Sequence, residues 1–237
     1  MGVLRPDRLQ ERVVTALAGV RERIERAGGG SDVAVLAVTK GFGPEAIEAA
    51  VAAGCTLIGE SYAQELLGKL HDLGGAAGLS GHRAEIHFIG RLQSRKVKDL
   101  VGVVDVWQSI DRASLIDELA RRATAAGLPA RVMVQVNVSD EPQKGGCLPS
   151  EAAGLVARAR AAGLTVEGLM TVGLMGPPEL ARPGFRTLRA LATDLGVRHC
   201  SMGMSEDLEV AVAEGSTMVR VGTALFGDRP PPIDPPK

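Results

Sequence analysis

About eight times along this chain a short apolar run alternates with an amphipathic stretch, and glycine or proline marks most of the junctions. The clearest run is Val33-Ala34-Val35-Leu36-Ala37-Val38. It is rich in β-branched valine and bounded by Ser31-Asp32 and Gly41-Phe42-Gly43-Pro44, so it reads as a strand buried on both faces. Before it, Leu9, Val13, Ala16, Leu17, Val20 and Ile24 recur at three- and four-residue steps and predict a helix over 7–27, stopped by Gly28-Gly29-Gly30. After it come helix 44–53 and strand 55–58, helix 61–73 and strand 85–89, helix 93–100 and strand 103–107, and helix 112–126 and strand 131–138. Helix 149–162 then leads to strand 165–170, helix 180–195 to strand 198–201, and helix 205–214 to strand 217–221. Such alternation implies parallel strands with right-handed crossovers. Eight units in 237 residues argue for an α/β fold, a (β/α)8 TIM barrel with an extra N-terminal helix. A doubly wound open sheet is the alternative. Residues 1–229 are expected to form a single domain, with 74–84 a glycine-rich loop and 230–237 a disordered proline-rich tail.

Bulk properties narrow the function classes. Lys plus Arg is 27 against 28 for Asp plus Glu, a formal net charge of -1, so no nucleic-acid or anionic-membrane partner is expected. Aromatics at 3% offer few stacking platforms for single strands. Cys55, Cys147 and Cys200 are far apart and odd in number, which predicts no disulfide framework and fits a reducing cytoplasm. His71, His82, His87 and His199 form no ligand motif, and no metal site is expected. The charged N-terminus is unlike a signal peptide, and no apolar run approaches the roughly 20 residues of a membrane span.

In a barrel of this kind, chemistry gathers just after the strands. The residues expected at one mouth are Lys40, Gly59-Glu60-Ser61-Tyr62, His87-Phe88-Ile89-Gly90, Asn137, Met170-Thr171, Ser201-Met202-Gly203-Met204-Ser205 and Arg220-Val221-Gly222-Thr223. Lys40 reads in two ways. It either leaves the strand for water, or sits partly desolvated with a lowered pKa, where a neutral amine attacks a carbonyl. Ser205 is expected as an N-cap opening the helix after the seventh strand, and Gly222-Thr223 follows the eighth. Backbone N–H groups at these two positions suit a phosphate dianion. Arg220, between Val219 and Val221, needs either a structural carboxylate or a ligand acceptor. A lysine to accept an aldehyde, a phosphate cup and a placed arginine together describe a pyridoxal 5'-phosphate (PLP) site. Lys144 reads as a solvated loop lysine or a secondary acceptor, His87 as a satisfied core histidine, and Cys200 as buried near the phosphate loop.

The segments AVTK (37–40), GESYAQE (59–65), HFIGRLQ (87–93), VNVSDEPQKGG (136–146) and SMGMSEDLEVAVAEGSTMVRVGTALFG (201–227) resemble the pyridoxal phosphate homeostasis protein family. The resemblance implies a barrel like the N-terminal domain of alanine racemase, commonly monomeric, with Lys40 holding PLP as a Schiff base. It also implies that Ser205, Gly222 and Thr223 contact the phosphate, with Met204 in the same loop, and that Arg220 faces the pyridine nitrogen. Ser61, a shorter arm with fewer hydrogen-bonding groups, stands where the family usually has asparagine.

A guanidinium only donates, so an arginine at the pyridine nitrogen keeps that nitrogen unprotonated and weakens the ring as an electron sink. Racemases of this fold add a tyrosine from a second domain. This chain has one tyrosine, Tyr62, and no residues for that domain are expected. The leading expectation is a cytoplasmic, non-enzymatic protein that buffers PLP or delivers it to apo PLP-dependent enzymes, with no catalytic residue. The alternatives are a racemase-like PLP enzyme of weak activity and a cofactor-free Schiff-base aldolase.

Overall fold

The computed structural model describes residues 6–75, 84–139 and 141–229. The proposed tail 230–237, His82 and most of the 74–84 loop lie outside the described residues. Eight strands form the barrel: β1 (Ala34–Val38), β2 (Leu57–Glu60), β3 (Glu85–Phe88), β4 (Val106–Ile110), β5 (Arg131–Gln135), β6 (Thr165–Met170), β7 (His199–Ser201) and β8 (Met218–Val221). Each pairs in parallel with its sequence neighbour, and β8 closes on β1, where Leu36 stands opposite Leu57 on one side and Arg220 on the other. The closed ring rules out the open-sheet alternative. All strand carboxyl ends therefore share one rim.

The helices are α1 (Pro6–Arg26), α2 (Pro44–Ala52), α3 (Ala63–Asp72), α4 (Val97–Leu100), α5 (Ala113–Ala126), α6 (Ala152–Ala161), α7 (Arg182–Asp194), α8 (Leu208–Ala213) and α9 (Thr223–Phe226). Single 3-10 turns lead into α4, α6 and α7. The extra N-terminal helix α1 buries Val13, Val20 and Ile24 against α2, α8 and α9. Each such side chain stabilises the fold by about 1.5–3 kcal/mol.

Strand alternation divides the core. Val35 and Ala37 face outward into the large cluster between sheet and helices. Leu36, Val106, Met133, Met170 and Met218 form a separate small cluster along the barrel axis. Above it lies a polar layer of buried His87, Gln108, Ser201 and Arg220.

Several boundaries differ from the sequence reading. β2 begins two residues late and takes in Gly59 and Glu60, because Glu60 finds buried partners. β4 runs to Ile110 rather than ending at Trp107, since Gln108 and Ser109 are polar yet fully enclosed. β5 stops at Gln135, and Val136 makes only an isolated bridge to Cys147. α8 begins at Leu208 with Asp207 at its N-cap, so Ser205 is not the cap that its position suggested.

Candidate functional site

Lys40 lies two residues beyond β1, and the backbone on both sides of it is held. Thr39 Oγ1 donates to Glu60 Oε1 at 2.6 Å, and Lys69 Nζ donates to the Thr39 carbonyl at 2.8 Å. On the far side, Gly41 N–H donates to Glu65 Oε1 at 2.6 Å. Among the described residues the Lys40 amine itself makes no hydrogen bond or ion pair. Its pKa lies below the ordinary lysine value, chiefly because the group is partly buried. The positive charges of Arg229 and Arg220 push the same way, against Glu60 and Glu65. The chain thus presents an amine that gives up its proton more readily than an ordinary lysine. Arg229 was not singled out in the sequence; its stem packs over Gly41 at the rim.

Lys69 is a buried hub on α3. Besides Thr39 it donates to Glu60 Oε1 and to Glu65 Oε1, each at 2.6 Å. Glu60 is 0% exposed and faces this hub rather than the mouth, which corrects its placement in the expected set. Burial raises the Glu60 carboxyl pKa, opposed by the Lys69 charge and its hydrogen bonds. Its second oxygen, Oε2, has no hydrogen-bond partner among the described residues.

Ser61 follows at the same rim, and its hydroxyl is buried without a partner among the described residues. A buried hydroxyl of this kind calls for an absent acceptor or donor. The carbonyl of Ser61 presses against Gly90, where any Cβ would overlap it. Gly90→Ala should therefore lower stability by about 1–3 kcal/mol and displace Ser61, as urea unfolding of the variant would register. Wild-type stability in that variant would contradict this close approach.

On the other flank of β1, the loop after β7 meets the turn after β8. Gly203 takes φ +92°, a left-handed conformation that suits glycine. Ser205 Oγ accepts from Ala224 N–H at 3.2 Å, joining this loop to the start of α9. Met204 is partly exposed, and Thr223 opens α9 on the exposed side. Asp207, which the sequence reading passed over, accepts from Met204 N–H through Oδ1 at 2.5 Å. A tie of much greater sequence separation comes from α1. Arg23 binds Glu209 through two bonds of 2.6 and 2.7 Å and donates to the Ser205 carbonyl at 2.8 Å.

Arg220 is buried within β8 and points into the barrel. Nη1 donates to Ser201 O at 2.7 Å and Ser201 Oγ at 2.9 Å, and Nη2 donates to Thr171 O at 2.6 Å. Of the two partners foreseen for it, no carboxylate reaches ion-pair distance among the described residues. Burial pushes its pKa down to about 10, with Asp207 opposing. Three N–H groups are used, which leaves the one on Nε and one on Nη2 for a ligand.

Lys144 is not a solvated loop lysine. Its side chain is 10% exposed, paired with Glu141, and donates to Gly173 O at 2.6 Å. His87 is buried as expected, with Nδ1 accepting from Gln108 Nε2 at 2.7 Å. All three cysteines are free and buried, and burial raises their thiol pKa values, to about 11 at Cys55 and about 12 at Cys147. Among the described residues, no cluster of metal-ligating side chains forms and no helix is long and apolar enough to cross a membrane.

A closed eight-stranded parallel barrel with alternating helices is the fold of the alanine racemase N-terminal domain. That domain family matches residues 16–230. The pyridoxal phosphate homeostasis protein of Aquifex aeolicus (strain VF5) is 40% identical over 228 residues, 92% of this chain and 97% of that protein. The protein of the same name in Escherichia coli (strain K12) is 36% identical over 229 residues, 90% of this chain and 95% of its own. The chain belongs to the pyridoxal phosphate homeostasis protein family. PipY of Synechococcus elongatus PCC7942 with PLP bound superposes at a TM-score of 0.78 and 29% identity, over 91% of this chain and all (100%) of that one. Alanine racemase of Clostridium difficile 630 gives a TM-score of 0.72 at 13% identity, over 93% of this chain and 58% of that one, a likeness of fold alone.

Proposed function

We propose that this chain binds PLP at the barrel mouth, holds it on Lys40 and buffers or delivers it to apo PLP-dependent enzymes, acting as a cytoplasmic monomer without catalytic turnover. The observation that carries this reading is Lys40, a partly buried amine of lowered pKa without a partner among the described residues, just beyond the strand that pairs with Arg220's. The other residues fit the cofactor. The unpartnered Ser61 hydroxyl suits the ring or its 3'-oxygen, directly or through water. The backbone at Ser205 and at Gly222-Thr223 suits the phosphate, with the Met204 N–H held by Asp207, and one of the two free N–H groups of Arg220 suits the pyridine nitrogen. When bound, PLP supplies an aldehyde that condenses with the Lys40 amine to a Schiff base with loss of water. Arg220 supports the non-enzymatic reading, because a donor-only guanidinium keeps the ring nitrogen unprotonated. The racemase-like fold supports the second reading, a PLP enzyme of weak activity.

Incubation with PLP should give a near-visible band that borohydride fixes, and peptide mass spectrometry should place the adduct on Lys40. Absence of a reducible band, or an adduct confined to another lysine, sinks the binding reading. Delivery is tested by reactivating an apo-aminotransferase. The loaded protein should restore activity at a free PLP concentration too low to do so alone. Reactivation that merely tracks free PLP supports buffering and refutes delivery. Alanine or serine racemisation at ordinary enzymatic rates, lost on Lys40 replacement, would favour the second reading.

A further inference from the structure

Beneath Arg220 a chain of side chains crosses the barrel interior. Ser201 Oγ donates to Gln108 Oε1 at 2.7 Å, from β7 to β4 across the axis. Gln108 Nε2 donates to His87 Nδ1 at 2.7 Å and to Met218 Sδ at 3.2 Å. His87 Nε2 then stands 3.5 Å from Glu85 Oε2, an electrostatic approach at the other end of the barrel.

The direction of this chain is fixed by chemistry. A thioether sulfur can only accept, so Met218 demands the amide NH2 of Gln108. With the NH2 group there, Oε1 must face Ser201, and the Ser201 hydroxyl must donate its single proton to it. The lone pairs of Ser201 Oγ are then left to receive Arg220. A flipped amide would set its oxygen against the Met218 sulfur. Gln108 is 0% exposed, so water cannot substitute for it. Among the described residues Ser201 Oγ is the only side-chain acceptor on the Arg220 guanidinium; the other two are carbonyls.

The geometry points to Gln108 as a positioning residue for the cofactor site: acting through Ser201, it sets the guanidinium plane in which Arg220 offers a free N–H group to the pyridine nitrogen. This rests on the PLP reading above and adds a residue that touches neither cofactor nor rim.

The test uses Gln108→Met, which keeps the volume and removes the amide, and Ser201→Ala as a second variant should the first fold poorly. Binding of PLP is compared with that of 1-deaza-PLP, whose ring carbon cannot accept from Arg220. A charge-assisted hydrogen bond supports a loss on the order of 10-fold in PLP affinity, with the deaza analogue within about 2-fold of wild type. An equal loss for both ligands indicates general damage and overturns the proposal, as does no loss for either. In the apo protein, ¹⁵N spectra should show slow rotation of the Arg220 Nη groups in wild type and faster rotation in Gln108→Met. If wild-type protein takes up no PLP, the cofactor reading falls on its own, and unchanged Arg220 rotation in the variant overturns the positioning role independently.

Discussion

Lys40→Ala protein incubated with PLP should show no borohydride-fixable band and no adduct on the 37–40 segment, while unfolding within about 1 kcal/mol of wild type. The two halves of that expectation have separate causes. The Lys40 amine makes no hydrogen bond or ion pair among the described residues, so its removal breaks nothing in the fold. The backbone at 39 and 41 stays clamped by Glu60, Lys69 and Glu65. What disappears is the nucleophile. The phosphate loops and Arg220 remain, and weak binding without a covalent bond should survive at least 10-fold below wild type, about 1.4 kcal/mol or more. In wild-type protein the rate of adduct formation should rise with pH as the amine loses its proton, with a midpoint below the ordinary lysine value of 10.5. The sign follows from burial and from Arg229 and Arg220, all of which disfavour the ammonium form. A midpoint at 10.5, or a band that survives in Lys40→Ala, would remove Lys40 from the site.

The largest effect on stability is expected at Lys69. Its side chain is 3% exposed and that of Glu60 is 0% exposed. Lys69→Met would leave Glu60 as a buried carboxylate with only the Thr39 hydroxyl, and breaking such a pair costs about 3–5 kcal/mol. The cost should depend on pH. Burial already raises the Glu60 pKa, and losing the ammonium raises it further. The folded variant therefore binds a proton that the unfolded chain has released, so its stability is greatest below the unfolded carboxylate pKa and falls as pH rises toward the folded value. Urea unfolding at pH 5 and pH 8 should show the larger deficit at pH 8, and Glu60→Gln added to Lys69→Met should recover much of it. A deficit below about 1 kcal/mol, or one independent of pH, would mean that the cluster behaves like a surface pair. Adduct formation on Lys40 should also slow, because Thr39 loses the donor to its carbonyl.

The barrel was legible because β1, β5 and β8 stand out as valine-bearing apolar runs and a glycine follows each helix within a few residues. The rim positions of Lys40 and of Gly222-Thr223 were legible because they follow the apolar runs of β1 and β8. What escaped was the polar interior. Gln108 and Ser109 follow Trp107 and look like the start of a loop, yet a barrel axis tolerates polar groups when they satisfy one another, so β4 continues through them. Glu60 looked like a rim carboxylate, and only the fold reveals that Lys69, nine positions on, lies behind it. The available signal was Glu65 and Lys69, four positions apart on one face of α3. Asp207 lay hidden inside a stretch read as helix from Ser205 onward. Arg23 and Glu209 are separated by most of the chain, and no local pattern joins them.

The ring closes between its first and last strands, and on the reading proposed above so does the site. Lys40 leaves the ribosome early, whereas Arg220, Gly222 and Thr223 are made almost at the end. A nascent chain consequently carries an exposed amine with no cup to accompany it, and any aldehyde it meets is held by one reversible bond. Capture becomes selective only after β8 docks. From then on the ligand stabilises the closed ring alone, in proportion to the logarithm of its concentration over its dissociation constant. On that reading, PLP supply and completion of this fold are thermodynamically linked.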